Sequence, residues 1–214
     1  MSNKKYFKIV EHYENCLRKF GDNHLGVDWP KAEDALLRYR VMLEIIPKHK
    51  NCSLLDFGCG TAHLYDFIVK NGYKNIKYTG LDISDEFIKV CKQKYPGITF
   101  KCSDILGFPE QIETFDYMIL NGVFTEKREL SFDEMFEYFK KIVKKLFLKT
   151  NFGIAFNVMT KHVDWEQEDL FHLPFDLLVS FLKSEVSRNF IIRNDYGLFE
   201  YTVYLFKEPN LWHK

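Results

Sequence analysis

The stretch SLLDFGCGTAHL, Ser53 to Leu64, ends a short apolar run in Asp56 and then breaks into Gly58-Cys59-Gly60 before a helical pattern begins. Glycine has no Cβ, so such a turn lets backbone N–H groups approach a ligand held at the mouth of a helix. The layout returns downstream. GLDIS closes an apolar run with Asp82, CSDIL with Asp104, LNGVF with Asn121 and FNVMT with Asn157. A core does not need polar residues after every apolar run. A ligand site at the carboxyl ends of parallel strands does.

Two cofactor chemistries compete for the turn. A dinucleotide site wants G-x-G-x-x-G, with the third glycine where helix and strand pack. Here His63 stands at that place. Asp56, two residues before Gly58, would also set a carboxylate against a bound pyrophosphate, where like charges repel. A cofactor with a cationic amino-acid end and no phosphate fits better, and S-adenosylmethionine has that character.

The elements that must carry these residues alternate. CSLLDFG is followed by a helix expected from about Thr61 to Gly72, and KYTGLDI by SDEFIKVCKQKY, with Ser84 as N-cap and Asp85-Glu86 in the first turn. GITFKCSD comes next, then FDYMILNGVF before the long helical SFDEMFEYFKKIVKKLFLKT, and FGIAFNVM before LPFDLLVSFLKSEV. The chain closes with NFIIRND, a YG turn and FEYTVYLF, a hairpin that makes the last strand antiparallel. This order predicts an α/β, doubly wound, mostly parallel sheet with right-handed crossovers. Residues 1–50 read as two helices, the second opened by Pro30, with Leu36, Tyr39, Leu43 and Ile46 as its buried stripe. The expected division is 1–50 as a helical lid and 51–214 as the cofactor-binding domain, built as one structural unit.

The 214 residues suit one domain of this size, and 46% hydrophobic with 17% aromatic content gives a full core. Thirty Lys and Arg balance thirty Asp and Glu, against a broad nucleic-acid footprint. The five cysteines, Cys16, Cys52, Cys59, Cys91 and Cys102, form no C-x-x-C pair, so buried reduced thiols are expected, without zinc or disulfides. MSNKKYFKIVEHYENCLRKF lacks a signal-peptide core, and no apolar run reaches the ~20 residues of a membrane span. The expectation is a soluble cytoplasmic protein, monomer or homodimer, working on a small molecule and not on nucleic acid or membrane.

LLDFGCGTAHL resembles the D/E-x-G-x-G-x-G signature of class I S-adenosylmethionine-dependent methyltransferases, with Ala62 in place of the last glycine. GLDIS, CSDIL and LNGVF follow in the family's order and spacing, over residues 50–207. The resemblance implies a Rossmann-like seven-stranded sheet and a cofactor contacted by Asp56, Gly58, Cys59 and Gly60. It implies Asp82 and Ile83 at the ribose, and Ser103, Asp104 and Ile105 at the adenine, with Asp104 accepting from the exocyclic amine. Asn121 and Gly122 would lie under the methionine portion. GVDWPKAEDALLRYRVMLEII and DYGLFEYTVYLF resemble the opening and closing segments of small stand-alone bacterial methyltransferases. Some of these modify surface polysaccharides, including O-methylation of capsular phosphoramidates.

Methyl transfer asks mainly for alignment and exclusion of water, and a hydroxyl acceptor asks also for a base. Asp28 is either a helix cap or part of the lid, and Trp29 either packs or shields the sulfonium. Arg38 holds the methionine carboxylate, an anionic acceptor, or a surface partner. The base is sought among Tyr196, His24, His162 and His172. Asp164, Glu166, Glu168 and Asp169 are too loosely grouped to indicate a metal. O-methylation is favoured, with N-methylation and a non-catalytic cofactor-binding role as the alternatives.

Overall fold

The computed structural model describes residues 4–108 and 112–209. In the N-terminal part, α1 (Phe7–Phe20), a 3-10 turn (His24–Val27) and α2 (Ala32–Leu43) precede the sheet. The units that follow are β1 (Cys52–Phe57), α3 (His63–Lys70), β2 (Ile76–Asp82), α4 (Asp85–Lys94), β3 (Thr99–Cys102) and β4 (Phe115–Phe124). Then come α5 (Phe132–Leu148), β5 (Thr150–Met159), α6 (Phe175–Glu185), β6 (Phe190–Arg193) and β7 (Glu200–Phe206). The seven strands are ordered β3-β2-β1-β4-β5-β7-β6. β1 to β5 run parallel, and β7 is antiparallel to both β5 and β6. The expected Rossmann-like fold, closing hairpin included, is what the chain adopts.

Period-two alternation sends neighbouring strand residues to opposite layers. Leu54, Tyr117 and Ile119 join one core with Tyr39, Met42, Leu64 and Ile88 of α2, α3 and α4. Leu55, Met118 and Leu120 join the other with Phe139, Ile142 and Leu146 of α5 and Leu178 and Phe181 of α6. Two caps fix helix starts, Ser84 as the sequence indicated and Ser131 as the structure adds. Ser84 accepts from the Phe87 amide, and Ser131 with Glu134 completes a capping box on α5.

Three local expectations need correcting. α3 starts at His63, two residues late, because Ala62 is left-handed, with φ of 65°. Pro30 does not open α2, whose N-cap is Lys31, and Asp28 does not cap it either. Asp28 instead ends the 3-10 turn in a left-handed conformation, which Asp tolerates better than most side chains. The α2 stripe is also rotated: Leu36 is 52% exposed while Arg38 is 9% exposed.

Candidate active site

Strand order reverses between β1 and β4, and a cavity of about 140 Å³ opens there at the carboxyl ends of the strands. Asp56, Gly58, Cys59 and Gly60 line it from β1 and its turn, Asp82 and Ile83 from β2, and Ser103, Asp104 and Ile105 from the turn after β3. Asn121 and Gly122 line it from β4, and Trp29 from the N-terminal segment. Of the residues singled out for the cofactor, only Arg38 stands back from this wall.

The glycine turn is shaped by its neighbours. Gly58 has φ of 73°, and a Cβ there would lie 2.6 Å from Val123 Cγ2, so no larger residue fits. The Gly58 and Cys59 amides donate to the Leu81 carbonyl at 2.7 and 3.1 Å. The Gly60 amide donates to Asp82 Oδ2 and the Ser84 amide to Asp82 Oδ1, both at 2.9 Å. Asp82 thus ties the turn to the end of β2.

These acids are held at a cost. Burial pushes Asp56 up to about 7, although Tyr78 donates to it at 2.7 Å. Burial likewise pushes Asp82 up to about 6, outweighing its backbone donors. Buried carboxylates displaced this far from their ordinary range are common where ligands bind. Asp104 goes the other way. Burial opposes its ionisation, but Lys4, Tyr6 and the Leu106 amide outweigh burial and hold it below the usual range.

The roof came from residues that no motif marked. Tyr6, Ile9, Val10 and Tyr13 of the N-terminal segment line the cavity with Val27. Lys4 Nζ and Tyr6 Oη donate to Asp104 Oδ2 at 2.6 and 2.8 Å, and the Tyr6 ring stacks on Tyr138 at 5.1 Å. Tyr13 Oη donates to the Gly122 carbonyl at 3.3 Å. The apolar and aromatic spacing of KKYFKIVEHY was the available signal. Among the described residues, Asn121 Oδ1, in the cavity wall, is buried without a hydrogen-bond partner.

The residues considered as bases lie elsewhere. Tyr196 Oη contacts Glu200 and Thr202 of β7, and burial pushes its pKa far up. His24 Nδ1 sits 2.6 Å from the Trp29 carbonyl and shapes the 3-10 segment. His162 stacks on Phe175, and His172 is buried between the Thr160 carbonyl and the Gln167 amide. None of the four lines the cavity. His63 does, with Nε2 2.8 Å from Asp22 Oδ1, and burial lowers its pKa.

Among the described residues, one group has metal-ligating types in reach, His12, Cys16 and Asp28. Arg128 Nη2 lies 3.0 Å from His12 Nε2, which sets a fixed cation beside one of the three ligating groups. In the acidic loop, Glu166 pairs with Lys161 and Asp169 with Arg128.

A family model described as a methyltransferase domain matches residues 48–152. A putative methyltransferase of Mycobacterium tuberculosis is 26% identical over 153 residues, covering 71% of this chain and 90% of that protein. An uncharacterized methyltransferase of Oceanobacillus iheyensis is 21% identical over 137 residues, 64% of this chain and 62% of that one. Among solved structures, magnesium protoporphyrin IX methyltransferase from Synechocystis with bound S-adenosylhomocysteine aligns with a TM-score of 0.63 at 12% identity. That alignment covers 94% of this chain and all of that one. The plantazolicin methyltransferase, in complex with a desmethylplantazolicin analogue and S-adenosylhomocysteine, aligns with a TM-score of 0.62 at 16% identity, covering 97% and 92%. At such identities these structures share the fold with this chain.

Proposed function

We propose that this chain, an S-adenosylmethionine-dependent methyltransferase, methylates a small-molecule acceptor at an oxygen atom, beneath a lid formed by the N-terminal segment that carries Tyr6, Tyr13 and Trp29, while α2 packs into the core. The observation that carries the site assignment is the convergence of Asp56, Asp82, Asp104, Asn121 and the glycine turn on one cavity. The residues fit the cofactor chemically. Asn121 Oδ1 is a buried acceptor without a donor, which suits an ammonium group. Asp82 suits a pair of ribose hydroxyls, Asp104 an exocyclic amine, and Ile105 an aromatic base.

Bound there, S-adenosylmethionine supplies a methyl group on a positively charged sulfur, a good leaving group. The chain's own part is orientation and exclusion of water. Gly58 and Gly60 let the backbone close on the ligand, Trp29 and Tyr13 cover it, and Asp82 ties the turn to the end of β2. Tyr196, His24 and His162 stand outside the wall, so this reading relies on alignment more than on a base from that set.

The acceptor is proposed to be a small molecule. Its extension to a surface polysaccharide or phosphoramidate has the GVDW and closing-hairpin resemblance as its support. Arg38, the residue offered for an anionic acceptor, has its charge balanced by Glu200 at 2.8 Å, which favours an acceptor neutral at the reacting atom. Calorimetry tests the cofactor assignment: S-adenosylhomocysteine should bind and NAD should not. Binding of NAD alone would overturn it.

A further inference from the structure

On β7, across β5 from β4 in the sheet, lies a carboxylate that no motif singles out. Glu200 opens β7 and is 1% exposed. It accepts from Arg38 Nε at 2.8 Å, Asn157 Nδ2 at 3.0 Å and Tyr196 Oη at 3.3 Å. Burying an ion pair costs solvation that apolar residues of the same size would spare, so its retention calls for a role beyond stability.

The geometry gives that role. A carboxylate can only accept, so Asn157 must turn its amide nitrogen to Glu200. Its oxygen then faces the other way and accepts from the Gly122 amide at 2.8 Å. On the second arm, the Arg38 guanidinium lies 4.1 Å over the Trp29 ring. Trp29 in turn packs so closely on Gly122 that a Cβ there would lie 2.7 Å from its Cζ2. Both arms end on residues that line the cavity. Among the described residues, Arg38 Nη1 within this network and Asn121 Oδ1, next to Gly122 in sequence, are buried without hydrogen-bond partners.

We infer that Glu200 is a positioning residue of the cofactor site, acting through Arg38 on Trp29 and through Asn157 on Gly122. The inference rests on the cofactor reading above. It requires the acceptor character of Glu200, not merely its bulk. Glu200→Gln keeps the shape but turns a donor NH2 toward either Arg38 Nε or Asn157 Nδ2, both of which are donors, so one arm must break. Adding Asn157→Asp restores matching: the new carboxylate accepts from the glutamine amide and from Gly122, and returns a negative charge near Arg38.

The test measures S-adenosylhomocysteine binding by calorimetry and Trp29 emission in a background with Trp165 and Trp212 changed to Phe. Glu200→Gln should weaken binding roughly ten- to a hundredfold and shift the emission, in line with losing hydrogen bonds to a charged group. The Glu200→Gln/Asn157→Asp pair should recover most of both. A simply structural carboxylate would give no such rescue. If Glu200→Gln does not fold, the rescued pair is compared with Glu200→Asp, which keeps the acceptor and should bind more tightly than Glu200→Ala. Undiminished binding by Glu200→Gln, or a double variant no better than the single one, overturns the inference. Failure of the wild type to bind overturns the cofactor reading and the inference together.

Discussion

Asp56→Asn should stabilise the protein, and more so as pH rises. Asp56 is 2% exposed beneath the glycine turn, and its one side-chain donor is Tyr78. Burial raises its carboxyl from an ordinary 3.8 to about 7. The folded state therefore holds the proton more tightly than the unfolded chain does. Between those two values it binds more proton, so stability falls as pH climbs through that window. At about 1.4 kcal/mol per tenfold, the full loss is about 4 kcal/mol above pH 7 and nothing well below 3.8. Asparagine keeps an acceptor for Tyr78 and cannot ionise. Urea denaturation of both proteins at pH 4.5 and 8.5 should show the advantage of the variant growing by about 3 kcal/mol. An advantage constant across that range would refute the reasoning, because it would mean that Asp56 is not an ionising buried group.

Gly122→Ala should destabilise by about 1–2 kcal/mol from left-handed strain alone, and displace Trp29, read by denaturation and by indole emission. Asp82→Ala should weaken S-adenosylhomocysteine binding by about 2–3 kcal/mol in calorimetry, as for charge-assisted hydrogen bonds. An unchanged affinity would mean that this strand end does not meet the ligand. Lys4→Met combined with Tyr6→Phe should tighten binding of the same ligand by roughly tenfold, since it frees Asp104. Most of that gain should come from Tyr6, because Lys4 is 43% exposed and screened.

The strand-end residues were legible because strand and helix periods differ and because acids directly after apolar runs have no core function. Asp56, Asp82 and Asp104 therefore announced themselves within a few residues each. What joins them to the rest depends on contacts between segments far apart in the chain. Glu200 meets Arg38 across 162 positions, and nothing local to either residue predicts it. The α2 stripe failed for the same reason: a pattern with Leu36 inside is as helical as one with Arg38 inside, and the buried partner decides between them. Ala62 shows a local limit. Its left-handed backbone is what the glycine of the family signature would adopt without strain, and an alanine letter conceals it.

Asp104 has two sets of suitors. In the closed roof it accepts hydrogen bonds from Lys4 and Tyr6, and in the proposed complex it accepts one from the adenine amine. Lys4 and Tyr6 both sit on Oδ2, so a ligand amine directed at that oxygen would make the N-terminal segment its internal competitor. Measured affinity is then the intrinsic affinity scaled by the fraction of molecules with the roof raised, so about 1.4 kcal/mol in favour of closure costs a factor of ten. The same contact acts as a threshold. A ligand that offers only an adenine must outbid a lysine and a tyrosine already in place, and weak binders sharing that base are screened out before they reach the glycine turn.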